Sequence, residues 1–460
     1  MTKLTEVAFH LVAGAIIIIV YAGCSFDGPG NPLPTTPEEV NDYWQEALPA
    51  LPSQTARGVI NSDGRFKTVH GASCVNADTA VTKDNTGRNL YGVRVDETLS
   101  TAGYNTATVF LNGWRLRYTS KDHHIVGLST GIVDIDHNQN QLRWKAGGIL
   151  SDEKGDDEFT WCYYYTALLW NSGHLFDAIP YDTDNGAELT FLAPESTNRY
   201  IEENFSLDLH PGALLPRGFG LLRSDFRNDQ HLNSFALDYS QNLFYTDAAD
   251  GGYTVWQFNT RFHDRLGDDP YIATEVVSIL EGDSVELLEP DFDIIPGGPN
   301  GSPGTGYHDV VSQTIVEENL PFDYAVPMLT GWDIGLNSNG DSHIKEIGAW
   351  IASFTYDKDT GTLTYTIESA FHDKHKDGGT FGQNRGAGTP RYKVSILGFN
   401  HLESIQNPRF EDNPAKPDTI DGGFELPSST NDIPVQPGTV KLDPFPTPAS
   451  TETQPQSQIR

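Results

Sequence analysis

The chain is short of positive charge. Its 460 residues hold 30 Lys and Arg against 63 Asp and Glu, a formal net charge of −33. A duplex or an anionic membrane surface is bound through Lys and Arg that neutralise phosphates. This field therefore excludes nucleic acid as a partner and points to cations, or to neutral ligands such as sugars. Glycine and proline, at 44 and 28 residues, are too few for a collagen-like or low-complexity chain. The apolar run Leu11 to Ala22 has the size of a signal-peptide core and is short for a membrane-spanning helix. The sequence has no phosphate-cradling glycine loop and no His-Glu-x-x-His. Aromatic residues, by contrast, are plentiful. With 8 Trp, 19 Tyr and 23 Phe, global disorder is excluded, and the length suggests about three domains.

Directly after the apolar run, Val20-Tyr21-Ala22-Gly23-Cys24 resembles the lipobox of bacterial lipoproteins, whose Cys becomes the lipidated first residue. The resemblance implies a signal peptide at 1–23, lipidation of Cys24, an address at the cell envelope or cell surface, and membrane contact through the lipid only. Residues 24–55 are rich in proline and read as a spacer. Residues 407–460 hold ten of the 28 prolines among many Ser, Thr and Gln, and read as a disordered tail. With Cys24 assigned to lipid, Cys74 and Cys162 remain as one candidate disulfide, which an exported protein can keep oxidised. Two unrelated buried thiols are the alternative.

Between the two ends the chain repeats itself. Three segments open with Gly113-Trp114, Gly218-Phe219 and Gly331-Trp332, at intervals of roughly 110 residues, so the repeat is a whole domain rather than a solenoid unit. Each opening is followed by Asp-x-His and an apolar residue: Asp122, His124, Ile125; Asp229, His231, Leu232; Asp341, His343, Ile344. An alternating strand comes next, carrying Leu142, Trp144 and Ala146 in the first copy, Trp256, Phe258 and Thr260 in the second, and Leu363, Tyr365 and Ile367 in the third. Every such strand runs into an acidic loop, with Asp152 and Asp156, Asp264 and Asp268, and Asp373 and Asp377 at matching positions.

Period-two alternation, turn-forming clusters and the lack of long amphipathic helical runs predict an all-β chain. The expected architecture is three tandem antiparallel β-sandwich domains at 56–180, 187–290 and 306–406. The stretches 177–186 and 290–306 would separate them. The segment from Phe322 to Trp332, followed by a His-Ile strand and a long alternating strand, resembles the order seen in H-type lectin β-sandwiches. That resemblance implies glycan binding and assembly in threes, and carries no site residues with it.

In a simple meander, loops separated by two strands lie at the same end. Asp122, His124, Asp152 and Asp156 are thus expected to converge, as are Asp229, His231, Asp264 and Asp268, and Asp341, His343, Asp373 and Asp377. Crowded carboxylates repel, and a bound cation such as Ca²⁺ relieves that. The alternative is a set of hydrogen-bonded or solvated turns. Near-equivalent residues in three copies suit multivalent binding better than one asymmetric catalytic site. The sequence reading is therefore an exported, lipid-anchored surface protein that binds glycans or another cell-surface ligand. A structural envelope or appendage component that self-assembles, and a metal-assisted hydrolase, are the alternatives.

Overall fold

The structure, a computed structural model, describes residues 54–62, 64–77, 82–83, 89–118, 125–138, 140–152, 159–173, 176, 178–181, 189–193, 202–205, 212–223, 232–244, 253–264, 271–294, 310–335, 344–373 and 390–401. All secondary structure among them is β. An N-terminal extension supplies β1 (Gln54–Ser62), β2 (Phe66–Ala77) and β3 (Thr82–Lys83). The first unit is β4 (Asn89–Ser100), β5 (Thr106–Tyr118), β6 (Ile125–Asn138), β7 (Gln141–Asp152) and β8 (Phe159–Trp170). Two short strands follow, β9 (Ile179–Tyr181) and β10 (Leu189–Ala193). The second unit is β11 (Glu202–Phe205), β12 (Gly212–Arg223), β13 (Leu232–Phe244), β14 (Tyr253–Asp264) and β15 (Tyr271–Glu281). After β16 (Val285–Leu288) and β17 (Asp293–Ile294), the third unit is β18 (Val311–Glu317), β19 (Tyr324–Gly335), β20 (Ile344–Asp357), β21 (Thr362–Asp373) and β22 (Arg391–Phe399). The predicted signal peptide, Cys24, the spacer as far as residue 53 and the Pro-rich tail lie outside the described residues; the spacer's last two residues, Gln54 and Thr55, already belong to β1.

These strands form where side chains alternate. On β7, Leu142, Trp144, Ala146 and Leu150 are buried while Arg143 is exposed; on β21, Leu363, Tyr365 and Ile367 are buried between half-exposed threonines. The strands assemble into three antiparallel sheets. The first runs β1-β2-β8-β5-β20-β21-β18. The second runs β10-β15-β12-β6-β7-β4-β3, with β9 also on β15. The third runs β11-β14-β13-β19-β22-β16, with β17 also on β22.

The units are tandem along the chain, yet none of these sheets is built from one unit alone. Each unit sends its second and fifth strands to one sheet and its first, third and fourth to another. The second strand then lies against the third strand of a different unit: β12 pairs β6, β19 pairs β13, and β5 pairs β20. The last of these pairings joins the third unit back to the first, so the topology is a closed three-membered ring. Even the stretches expected to separate units take part, since β9 lies within 177–186 and β17 within 290–306.

The repeated Gly-aromatic mark explains itself at the centre. Strands β5, β12 and β19 contact one another. Trp114 lies 5.3 Å from Phe219 and 5.9 Å from Trp332, ring centre to ring centre, and all three are buried. Phe235 packs against the same three rings. One continuous core therefore spans all three sheets. The glycines mark β-bulges, where the register of each second strand against its fifth shifts at Leu111/Gly113, Pro216/Gly218 and Leu329/Gly331. A Cβ at Gly113 would lie 2.3 Å from Trp350 Cα, and one at Gly218 2.5 Å from the Thr130 carbonyl oxygen, on the neighbouring unit's strand in both cases.

Candidate binding end

The Asp-x-His loops are framed by strand ends whose register is known. Asp152, the last residue of β7, pairs with Ile125, the first of β6. Asp264 pairs with Leu232, and Asp373 with Ile344, in the same positions of the other two units. Within each unit, then, the chain leaves for the acidic loop beside the point where it returns from the Asp-x-His loop. A bulge follows at once in all three hairpins, at Ile125/Gly127, Leu232/Ser234 and Ile344/Glu346.

The unit-to-unit pairings carry this further. Gly127, near the start of β6, faces Leu222, near the end of β12. Ser234 faces Gly335, and Glu346 faces Arg117, in the corresponding places. Each Asp-x-His segment is thus bounded by strand ends that neighbour those of the next copy, so all three copies are framed at one end of the ring. The hairpin turns after β6 and β20 lie at the opposite end, as does the exit from β22.

Of the predicted site residues, Asp152, Asp264 and Asp373 are placed by their backbones at these strand ends. Asp122, His124, Asp156, Asp229, His231, Asp268, Asp341, His343 and Asp377 lie outside the described residues. Among the described residues, no group of three or more His, Cys, Asp or Glu side chains could hold a metal ion. Cys74 and Cys162 form a disulfide, directly opposite each other on β2 and β8.

Ionisable groups in the strands beneath this end serve the seams. Arg115 on β5 pairs with Glu346 on β20, and its guanidinium lies 5.2 Å over the Trp350 ring. Arg261 pairs with Asp333 across the β13–β19 seam, and the Lys393 ammonium reaches Asp238 at 3.1 Å. Trp350 donates its indole N–H to Glu368 at 2.9 Å, yet burial holds that carboxyl above its ordinary pKa. No sequence pattern marked the three ion pairs, because each joins two different units.

A second polar cluster ties the first unit to the third. The His70 Nε2 lies 3.0 Å from the Ile351 carbonyl, an acceptor only, so that nitrogen carries the proton. Nδ1 then accepts from the Thr166 hydroxyl at 3.0 Å. Thr166 in turn accepts from Asn112, which also donates to Pro327 O and accepts from Leu329 N–H, each at 2.9 Å. Burial pushes the His70 pKa down to about 4, so the ring is neutral. At the far end, His401 Nδ1 lies 2.8 Å from Asp323 Oδ2, packed by Phe176 and Tyr324. Its other nitrogen is buried and meets no hydrogen-bonding group among the described residues. That is the geometry of a clamp on the chain leaving β22 rather than of an acid–base pair at work.

Comparison with family models, with curated proteins and with solved structures finds no match to the chain.

Proposed function

We propose that this protein is an exported binding protein that presents three copies of an Asp/His loop pair at one end of a closed ring, and that its ligand is a repetitive glycan of a cell surface. The observation that carries the reading is the shared register of Asp152–Ile125, Asp264–Leu232 and Asp373–Ile344, coupled through the pairings between units. Three equivalent contacts on one rigid body raise avidity without any single strong site. The acidity suits a neutral ligand, with Ca²⁺ as the bridging ion. The disulfide supports an oxidising, extracytoplasmic address, and Cys24 is the proposed lipid attachment.

Glycan-array binding in calcium-containing buffer tests this, using folded full-length protein. Binding that weakens in steps when His124, His231 and His343 are replaced one at a time is the expected result. No binding to any glycan would overturn the reading. Loss of function at a single position only would instead indicate one asymmetric, enzyme-like site.

A further inference from the structure

A second patch of repeated chemistry lies on a sheet face of the third unit, away from the loop end. The outward face of the third unit's hairpin and its edge strand is a field of hydroxyls. Thr314, Thr366 and Ser353 form one row across β18, β21 and β20, and Val316, Thr364 and Thr355 form the next. Ser312 and Thr362 extend the field, which Glu368 and Asp357 close at its two ends. Ser312, Thr314, Val316 and Thr355 are exposed, and the remaining hydroxyl residues are half-exposed. Val316 is 52% exposed, one of three large apolar side chains open to this degree among the described residues. The hydroxyls are already ordered: Thr314 and Thr366 lie 3.0 Å apart, and Thr360 donates to Thr362 at 2.8 Å. Each hydroxyl offers one donor and two acceptor sites, so these bonds leave capacity over.

Threonine is favoured on any exposed strand, so the composition alone would say little. The ring supplies its own control. Thr362, Thr364 and Thr366 occupy the positions that Gln141, Arg143 and Lys145 hold in the first unit, on the same kind of hairpin in the same kind of sheet. There, Arg143 donates to Gln141 at 2.6 Å and Lys145 pairs with Asp134. The backbone therefore accepts charge at these positions, and the third unit has none in a chain of net charge −33. The rows repeat about every 7 Å along the strands and about every 4.8 Å between them, a lattice of hydroxyl and methyl groups. The edge strand β18 leaves the lattice open on one side.

We infer that this face binds a neutral, extended polysaccharide, whose repeating hydroxyls and C–H patches match a lattice that is uncharged and repetitive itself. The inference does not rest on the loop-end reading.

The test is co-sedimentation of the full-length protein with crystalline cellulose and with chitin. The wild type is expected in the pellet with at least one of them. Thr364→Arg with Thr366→Lys copies the first unit's face, and Thr364→Val with Thr366→Val removes hydroxyls while keeping shape. Both pairs should weaken retention roughly tenfold or more, as loss of several hydrogen bonds requires. Thr98→Val, at an exposed position of β4 in the second sheet, should leave retention unchanged. Absence of wild-type binding to both solids would overturn the inference. So would Thr364 and Thr366 variants that fold and bind like the wild type.

Discussion

Gly218 has a carbonyl where any other residue has a side chain. The Thr130 oxygen and Gly131 Cα occupy the position of its missing Cβ, at 2.5 and 2.6 Å, and both are backbone atoms that cannot swing aside. Gly218→Ala therefore pushes β12 off β6, and should cost about 2–3 kcal/mol in urea unfolding, the range for overpacking a tight core. His70 imposes a pH dependence. Its pKa is 6.5 when unfolded and about 4 in the fold, so the unfolded chain binds the proton first as pH falls. The stability from this site is complete above pH 6.5 and is lost between there and pH 4, amounting to about 3 kcal/mol. Chemical denaturation at stepped pH should show a flatter acid limb in His70→Gln than in the wild type. An unchanged limb would remove His70 as the cause.

At the scale of elements, the disulfide joins a strand of the N-terminal extension, β2, to β8, an interior strand of its sheet. It bridges residues 88 apart in sequence, so in the chain-entropy account reduction should lower stability by about 4.6 kcal/mol. Melting with and without reductant, compared with Cys74→Ser, measures it. Reductant should lower the wild-type melting temperature and leave that of the variant unaltered. The strands themselves were legible to very different degrees. β7 and β21 show in the sequence because one face is polar and the period of two is clean. β8, Phe159–Trp170, has no such alternation: it lies mid-sheet with both faces covered, and almost every side chain is buried. Its run of Trp, Tyr and Leu names no face. β15 and β22 were obscure for the same reason.

The whole molecule differs from a string of sandwiches in how its parts depend on one another. A polypeptide of residues 187–290 would hold β12 without β6 and β13 without β19, two seams that the intact chain buries. It should be unfolded by circular dichroism and show collapsed amide dispersion, whereas the full chain should unfold in a single transition by near- and far-UV signals alike. A folded, monomeric fragment would refute the interdependence. The sequence revealed that there are three copies because the Gly-aromatic, Asp-x-His and strand marks recur in order. It did not reveal the exchange, because alternation specifies which side of a strand is buried and not which strand lies beside it. The candidate end was half legible for a related reason. The acidic loops could be named from residues, but that the strand ends framing them share one end of the ring depends on pairings between units.

The seam charges have a consequence for how the chain finds its own order. Arg115 and Asp333 occupy the same place in their units, each one residue after the central Trp, while Phe219 is followed by Gly220. Three near-equivalent units invite docking in the wrong sequence. If β20 settled against β19 instead of β5, Glu346 would meet Asp333; if β13 and β14 settled against β5, Arg261 would meet Arg115. Each mistake sets like charges together in a poorly solvated seam, while the correct closure pairs opposites. The ion pairs thus work as addresses, telling apart strands that the core cannot distinguish. Exchanging them as Arg115→Asp and Asp333→Arg should leave composition untouched and slow refolding, through misjoined rings that must reopen before they can close.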